Sequence, residues 1–333
     1  MRDYLLDRKQ AEWIEHTLSN WLPVNIGVPQ GSILGPLLFV IFTNDLPYSL
    51  SCDLDMYADD STLTSTSCNI SEVNSDLNIN CAKVSSWMKE NEQCLNADKT
   101  HFMIVGTRKR LSKINQDDRS KVSMDGHVLM ESQGKIENLL GVSIQSDLKW
   151  NSHIGELQRK LKDRLHGLSQ TRKFVSLGFR KILAEGLFTS VLNYCIPVWG
   201  GTDVGHLREL QILQNRAAEI VLNFPLRSHR DSMYDALEWL TVNQLVTYHS
   251  IITVYKIRQS NEPEYLANLL CHDNFRGQII VPLSTLTLCR RSFCFRAAES
   301  WNIVPESIRS IEKLASFKRE LKKWVKMKIQ RFP

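Results

Sequence analysis

Short apolar runs separated by turn-forming residues characterise the first 150 residues, a pattern typical of β-hairpins. Asp125-Gly126 lies between two such runs, Val122–Met124 and His127–Leu129, and Asp-Gly in that position strongly favours a two-residue hairpin turn. A second hairpin is predicted from Asp53 to Leu63, where apolar residues flank Tyr57-Ala58-Asp59-Asp60. The first part of the chain is therefore expected to contain β-structure.

One long segment of this part has helical spacing instead. Apolar residues recur every three or four positions between Ile70 and Met88, which predicts a helix over residues 69–91. Asn69 followed by Glu72 resembles a capping box at its start. Two glycines and two prolines shape a loop within Val28–Phe39, and the apolar run that continues to Asn44 predicts a buried helix. Single strands are predicted at His101–Val105 and Leu139–Ile144.

After Trp150 the apolar spacing is helical throughout. Apolar residues from Ile154 to Leu168 share one helical face, and two more helical stretches follow to about Asn223. Another helical segment is predicted over residues 231–259. The chain ends in a helix whose apolar face consists of Ile311, Leu314, Phe317, Leu321 and Trp324. These patterns predict an α+β first part and an all-helical second part.

Composition narrows the class of protein. Of 333 residues, 43% are hydrophobic and 23% charged, which excludes disordered and collagen-like chains. The longest apolar stretch, Ile33–Phe42, is about half of what a bilayer requires, and the N-terminus is too charged for a signal peptide. We expect an intracellular protein with no membrane partner. Eight cysteines include no Cys-x-x-Cys pair, so reduced thiols are favoured over a zinc site built from Cys271, His272, Cys289 and Cys294.

Charge is distributed unevenly along the chain. Residues 1–150 carry 14 Lys and Arg against 20 Asp and Glu, whereas residues 151–333 carry 27 against 16. A basic half favours a polyanionic partner, and an acidic half can hold a hard cation. The segment from Lys313 to Arg331 alone contains eight basic residues and one acidic residue, Glu320. Either contact with nucleic acid or a solvated face of a packing helix explains that segment.

Asp59 and Asp60 are adjacent carboxylates within an apolar hairpin. Burial of an unpaired carboxylate is costly, and two carboxylates that repel each other are relieved by a divalent cation. A solvated Asp-Asp turn is the alternative, and the pair considered alone favours it. The surrounding sequence reverses that preference.

Four blocks in order resemble palm motifs B, C, D and E of non-LTR retrotransposon reverse transcriptases, with the jockey/CR1-like group nearest. They are Val28–Phe39 (with Pro-Gln-Gly-Ser-Ile-Leu-Gly-Pro), Tyr57-Ala58-Asp59-Asp60, Leu95–Thr100 and Leu139–Val142. Residues Tyr4–Gln10 resemble the stretch before motif B. Leu213–Ala218 and Trp301–Pro305 with Phe317-Lys318 resemble the family's thumb region. The resemblance covers nearly the whole chain.

The resemblance implies a role for each motif residue. Asp59 would be the main metal ligand, with Asp60 beside it, for two Mg²⁺ ions in the complete site or for Mn²⁺ in their place. Pro29, Gln30, Gly31 and Ser32 would form the loop against template and nucleotide, where Gly31 removes side-chain bulk. Tyr57 would pack under the primer end, or serve as a plain core tyrosine.

Lys99 would protonate or neutralise the pyrophosphate, and a solvated turn lysine is its alternative. Leu140, Gly141 and Val142 would form the primer grip, although by themselves they are typical of a core strand. The implied partners are an RNA template, a DNA primer and deoxynucleoside triphosphates.

The implied fold is a partial right-hand polymerase palm, an antiparallel sheet with packed helices, in residues 1–150. A thumb-like helical domain at 151–225 and a C-terminal helical basic region at 226–333 would follow it. The family takes a further metal-binding Asp from motif A, upstream of the Tyr4–Gln10 stretch, and only three residues precede Tyr4. We therefore expect a C-terminal fragment without motif A or fingers and without polymerase activity of its own. The alternative is a non-catalytic nucleic-acid-binding remnant, decayed or domesticated.

Overall fold

The computed structural model describes residues 2–29, 31–114, 122–225, 229–274, 277–281 and 283–329. The chain forms two compact units. Unit 1 consists of Met1–Ile104 with Arg108–Ser132, and unit 2 of Val105–Thr107 with Gln133–Pro333. The division thus falls before Trp150, and residues 133–150 belong to the helical unit. The palm, thumb and C-terminal designations remain predictions.

Unit 1 contains five pairs of short strands in its described residues. Four are antiparallel: β1 (Lys9–Gln10) with β4 (Leu22–Pro23), β2 (Trp13–Ile14) with β3 (Thr17–Leu18), β5 (Asp53–Tyr57) with β6 (Asp60–Thr64), and β8 (Ser123–Met124) with β9 (His127–Val128). The fifth, β7 (His101–Phe102) with β10 (Met130–Glu131), is parallel. The predicted Asp53–Leu63 and Asp125-Gly126 hairpins are confirmed, and both turn residues of the latter have positive φ. The predicted antiparallel sheet is seen as separate two-stranded ladders, and the strand predicted at His101–Val105 spans two residues.

The helices of unit 1 are α1 (Arg2–Leu5), α2 (Leu34–Phe42), α3 (Ile70–Glu90) and α4 (Arg108–Leu111), with 3₁₀ turns at Leu46–Ser49 and Ala97–Lys99. Helix α3 confirms the helix predicted over 69–91. It begins after Asn69, whose side chain accepts a hydrogen bond from Ser71 N at 3.1 Å. The capping box is wrong in one respect: Glu72 accepts from the Ser67 hydroxyl instead of the Asn69 amide. The core of the unit consists of Leu46, Cys81, Val84, Trp87, Val122, Met124 and Leu129.

Helix α2 differs from its prediction in burial. The helix forms, but Leu37, Val40 and Ile41 are more than half exposed. Its C-terminal end meets the core at Phe42, whose ring centroid lies 5.7 Å from that of Trp87 in an edge-on arrangement. The predicted buried helix is therefore wrong for most of its apolar face, because in the described part of unit 1 that face is left uncovered.

Unit 2 begins with one hairpin, β11 (Ile136–Leu139) and β12 (Val142–Gln145). The single strand predicted at Leu139–Ile144 is therefore wrong, because Leu140 and Gly141 reverse the chain with φ values of 49° and 80°. Helices follow: α5 (Asn151–Thr171), α6 (Leu177–Ala184), α7 (Ser190–Asn193), α8 (Ile196–Trp199), α9 (Val204–Leu222), α10 (Arg230–Leu237), α11 (Val242–Ser260), α12 (Glu264–Leu270), α13 (Thr287–Arg291), α14 (Phe293–Asn302), α15 (Glu306–Arg309) and α16 (Leu314–Lys328).

The core of unit 2 confirms the predicted apolar faces. Leu157, Leu161 and Leu165 on α5 are buried, as are Phe317 and Leu321 on α16. The helix predicted over 231–259 divides into α10 and α11, because Glu238 adopts a left-handed φ of 55° after Leu237. Across the helices of the described ranges, none combines the length and apolarity that a membrane span requires.

Candidate functional site

The two adjacent aspartates lie at the turn of the β5–β6 hairpin. Tyr57 pairs with Asp60, so that Ala58 and Asp59 form a two-residue turn. Along β5, Leu54 and Met56 pack against the core while the alternate residues are exposed, as the two-residue period of a strand requires. Apolar packing on one face therefore fixes the register that brings Asp59 to the turn.

Both carboxylates face solvent. Asp59 and Asp60 are exposed, and within the described part of the chain neither forms an ion pair or a side-chain hydrogen bond. The turn joins the two strands of an isolated two-stranded ladder whose apolar side chains pack on one face, so it projects away from the core. Tyr57 is 66% exposed, which excludes the plain core tyrosine. Four carboxylate oxygens are thus available to a ligand.

Ala58 holds this turn in an unfavourable backbone conformation. Its φ is 54°, in the left-handed region that residues other than glycine seldom occupy. The cost for an L-residue is about 1–2 kcal/mol. Strain of this kind concentrates where a neighbouring side chain must be held in one place. Here the neighbouring side chain is that of Asp59.

The loop that precedes α2 depends on two glycines for different reasons. Gly31 has a φ of 76°, and no atom lies within 4 Å of the position a Cβ would take. In the described structure Gly31 is therefore required for its backbone conformation rather than for close approach. Gly35 is packed: a Cβ there would lie 3.0 Å from Ser32 Oγ, which accepts a hydrogen bond from Gly35 N at 3.0 Å. Gln30 lies outside the described residues, and Pro29 precedes it at the end of a described range.

The stretch Tyr4–Gln10 holds this loop in place. The Tyr4 hydroxyl donates to Ser32 Oγ. The Arg8 guanidinium donates to the carbonyls of Ile26 and Gly27 at 3.2 and 2.7 Å. Two blocks that are separate in sequence therefore form one substructure, and the loop is fixed from both sides.

Lys99 ends the 3₁₀ turn Ala97–Lys99 and is exposed. Its backbone amide donates to Asn96 Oδ1 at 3.2 Å, which closes the turn. Among the described residues its ammonium forms no ion pair, and no hydrogen bond joins it to Asp59 or Asp60. The side chain is free to meet an anion from solution.

The β11–β12 hairpin, which carries Leu140, Gly141 and Val142, belongs to unit 2, whereas Asp59 and Asp60 belong to unit 1. Leu140 and Gly141 are exposed at the turn and Val142 is buried. The Tyr194 hydroxyl donates to Leu140 O at 2.6 Å, and its ring lies 3.5 Å from where a Gly141 Cβ would be. Tyr194, more than fifty residues away in sequence, therefore restrains the turn.

Two further side chains anchor the same hairpin, and the sequence alone did not identify them. Ser143 N donates to His153 Nδ1 at 3.3 Å, and Ser143 Oγ donates to Glu156 Oε2 at 2.9 Å. Burial lowers the pKa of His153, Glu156 raises it in part and Lys160 lowers it further. The available signal was a His and a Glu three residues apart beside the apolar stripe of α5.

A cavity of about 330 Å³ lies beside this hairpin. It is bounded by Gly141 on the hairpin, by His153 and Lys160 on α5, and by Ser190 and Tyr194 around α7. All of these residues belong to unit 2. The tip of the hairpin is therefore open to solvent on one side and supported by two helices on the other.

The blocks that resemble the thumb region serve packing. Gln211 Nε2 donates to Asn215 Oδ1 at 2.9 Å, the Tyr234 hydroxyl donates to Gln214 Oε1 at 3.0 Å, and all four residues are buried. Ala217 and Ala218 are fully buried. In the later block, Asn302 brackets Ile279 with two hydrogen bonds of 2.9 Å, and Trp301 packs on Phe317. The buried members of these motifs specify a core.

Within the described ranges the Asp59-Asp60 pair is the metal-ligand candidate that the sequence motif offers. No group of three or more His, Cys, Asp or Glu residues is placed there to hold an ion. Mg²⁺ retains several waters and is commonly held by one or two carboxylates together with substrate phosphates. A carboxylate pair with no other partner fits that requirement and leaves the remaining ligands to the substrate or to another carboxylate.

Comparison with known proteins agrees with the family that the sequence resembles. The family model described as reverse transcriptase (RNA-dependent DNA polymerase) matches residues 2–180. The probable RNA-directed DNA polymerase from transposon BS of Drosophila melanogaster is 26% identical over 262 residues, covering 75% of this chain and 28% of that protein. The RNA-directed DNA polymerase from mobile element jockey of the same organism is 24% identical over 236 residues, covering 68% and 25%. The jockey polymerase of Drosophila funebris is 28% identical over 219 residues, covering 61% and 22%.

The chain thus spans about a quarter of the length of the curated relatives it matches. No solved structure matches it.

Proposed function

Because this chain belongs to the reverse transcriptase (RNA-dependent DNA polymerase) family, we propose that it supplies part of the active site of a non-LTR retrotransposon polymerase. That enzyme extends a DNA primer on an RNA template with deoxynucleoside triphosphates as substrates. The observation that carries the proposal is the Asp59-Asp60 pair, exposed at a strained turn with no partner among the described residues. Positive φ at Ala58 is what a two-residue hairpin turn requires, so the exposure of the pair and its lack of partners carry the proposal.

Asp59 and Asp60 would hold divalent cations, with Mg²⁺ the expected ion and Mn²⁺ a substitute. Two bound ions supply charge neutralisation for the attacking primer 3′-hydroxyl and for the pyrophosphate leaving group. The contribution of the chain is to hold the two carboxylates at a fixed register. That register comes from the packing of Leu54 and Met56.

The other motif residues position the reactants. The loop with Pro29, Gln30, Gly31 and Ser32 lies against template and nucleotide, and Tyr57 supports the primer end. Lys99 donates a proton to the departing pyrophosphate, which suits an exposed ammonium without an ion-pair partner in the described ranges. Leu140, Gly141 and Val142 hold the primer strand.

The 333 residues alone are inactive in this proposal. Two adjacent carboxylates, Asp59 and Asp60, are present in the described part of the chain, where the family resemblance implies a third that motif A supplies. Loss of one metal anchor removes positioning as well as charge stabilisation. The same observation favours a second candidate, a non-catalytic nucleic-acid-binding remnant. The two candidate functions differ in one outcome: Asp59 is required for DNA synthesis by a complete polymerase only if this chain supplies part of the active site.

The test is Asp59→Asn in a complete polymerase that contains this sequence. Primer extension on an RNA template with Mg²⁺ should fall by at least about 100-fold, since loss of one charge-stabilising group costs about 3 kcal/mol or more. Asp53→Asn is the matched control, because Asp53 is exposed on strand β5, five residues before the first turn residue Ala58. Its activity should be unchanged. Equal activity of the Asp59→Asn and wild-type enzymes would leave the remnant as the better assignment.

A further inference from the structure

The cavity beside the β11–β12 hairpin has the size and lining of a small-molecule site. Its volume of about 330 Å³ is at the lower end of the range that ligand pockets occupy. Leu157 on α5, Val191 on α7 and Tyr194 just after α7 bring apolar groups to its wall, and His153 and Lys160 bring polar groups. An apolar wall with a few polar groups is the usual composition of a site that binds a small organic molecule.

One buried hydrogen-bond donor at this cavity lacks an acceptor. His153 borders the cavity and is only 6% exposed. Its Nδ1 accepts from Ser143 N at 3.3 Å, so the neutral imidazole carries its proton on Nε2. Burial lowers the pKa of His153, which favours this neutral form. Nε2 is buried and meets no acceptor in the described part of the chain. A ligand that accepts a hydrogen bond would satisfy it.

Neighbouring aromatic rings do not replace that acceptor. The ring centroids of Trp150 and Trp199 lie 6.2 and 6.1 Å from the centroid of the His153 ring. A weak hydrogen bond to an aromatic face requires the N–H group to touch that face. Both rings are too distant for such a contact, so they enclose the imidazole without satisfying its donor.

The charges at the cavity favour a neutral ligand. Glu156 and Lys160 lie one turn apart on α5, and both border the cavity. Glu156 Oε2 accepts from the Ser143 hydroxyl at 2.9 Å, which holds this carboxylate beside the hairpin. An anionic ligand would be repelled by Glu156 and a cationic ligand by Lys160. A molecule without net charge avoids both penalties.

We propose that this cavity binds a neutral, flat organic molecule with a carbonyl group, an aryl ketone or aryl amide in chemical class. The carbonyl oxygen accepts from His153 Nε2, and the apolar body lies against Leu157, Val191 and Tyr194. This inference goes beyond the proposed polymerase function. The ligand would also contact the Gly141 turn, whose Leu140 carbonyl accepts from the Tyr194 hydroxyl. Occupancy should therefore stabilise that turn.

The test titrates the full 333-residue chain with acetophenone and follows the methyl resonances of Leu157 and Val191 by NMR. A ligand of this size should bind with a Kd of about 1 mM. The matched ligand, α-methylstyrene, has the same shape but carries a CH₂ group in place of the carbonyl oxygen. It should bind about five-fold more weakly, because it leaves the His153 donor unsatisfied. Benzoate, which is anionic, should bind more weakly than acetophenone.

Two variants separate the donor from the cavity. His153→Phe should abolish the preference for acetophenone over α-methylstyrene. Val191→Phe fills the cavity and should abolish binding of both ligands, whereas the matched control Val198→Phe alters an exposed position on α8 outside the cavity and should leave binding unchanged. Thermal unfolding checks that each variant folds. In the wild type, amide hydrogen exchange of Gly141 should slow as acetophenone is added.

Three results would overturn the proposal. They are equal affinities of the wild type for acetophenone and α-methylstyrene, tighter binding of benzoate, and methyl shifts that persist in Val191→Phe. Absence of any methyl shift at 20 mM acetophenone would overturn it as well. Asp59→Asn lies in unit 1 and should leave acetophenone binding intact, so this inference and the proposed catalytic role can fail separately.

Discussion

Replacement of Ala58 by glycine measures how much strain the carboxylate turn stores. Ala58 has a φ of 54°, and left-handed backbone costs an L-residue about 1–2 kcal/mol. Glycine relieves that cost but adds about 0.5–1 kcal/mol of chain entropy to the unfolded state. The difference predicts that Ala58→Gly stabilises the hairpin by about 0.5–1 kcal/mol. Ala58→Val should do the opposite, because a β-branched side chain tolerates positive φ least.

Amide hydrogen exchange of the β5–β6 hairpin is the appropriate assay, because a local opening is detected even where unit 2 dominates global unfolding. Exchange of the β6 amides should slow about two- to five-fold in Ala58→Gly and accelerate in Ala58→Val. In a complete polymerase the glycine variant should nevertheless lose activity, since a freer turn holds Asp59 less firmly. Faster exchange in Ala58→Gly would refute the strain argument, and higher activity would refute its connection to function.

Two other predictions concern unit 2. Tyr194→Phe removes the hydroxyl that donates to Leu140 O and should weaken the β11–β12 turn by about 0.5–1.5 kcal/mol. Amide hydrogen exchange of Gly141 and Val142 should become faster at an unchanged melting temperature, and an unchanged exchange rate would contradict the restraint by Tyr194. Burial, Lys318 and Lys256 lower the pKa of His249 below its ordinary 6.5, so below about pH 6.5 the unfolded chain binds more protons than the folded chain and the free energy of unfolding should fall as pH drops. His249→Gln should reduce the slope of unfolding free energy against pH by up to about 1.4 kcal/mol per pH unit, and an equal slope in the variant and the wild type would contradict this prediction.

The elements predicted best are those whose signals are local. Helix α3 has apolar residues at helical spacing from Ile70 to Met88 and an Asn69 cap, and the Asp125-Gly126 turn has the residues its backbone demands. The division of residues 231–259 was missed because Glu238 gives no sign in sequence that it will adopt left-handed φ. The local signal that was available was Thr241 followed by Gln244, whose side chain accepts from Thr241 N at 3.0 Å at the start of α11.

The residues of the candidate site were likewise predicted where their signal is local and missed where it depends on distant contacts. Asp59, Asp60 and the Gly31 loop were identified because their motif is contiguous. The turn at Leu140 was not identified, because an apolar run that contains Leu140 has the sequence pattern of a strand and shows no sign of the positive φ. The restraint on this turn comes from Tyr194, which is far along the chain. The exposure of the Asp pair follows from the hairpin, which has one packed face instead of two.

The buried amide and hydroxyl network of Gln211, Gln214, Asn215 and Tyr234 has a consequence for how such chains diverge. Each member satisfies another, so an apolar replacement at one position leaves a buried donor or acceptor unsatisfied at its neighbour, at about 1–3 kcal/mol. Joint apolar replacement of the set would also be costly, because Gln211 Oε1 accepts from Val242 N and Gln214 Nε2 donates to Leu240 O, each at 2.9 Å. Descendants of a mobile element copied many times should therefore keep Gln211 and Gln214, while a change at Asn215 or Tyr234 should be accompanied by a change at its partner.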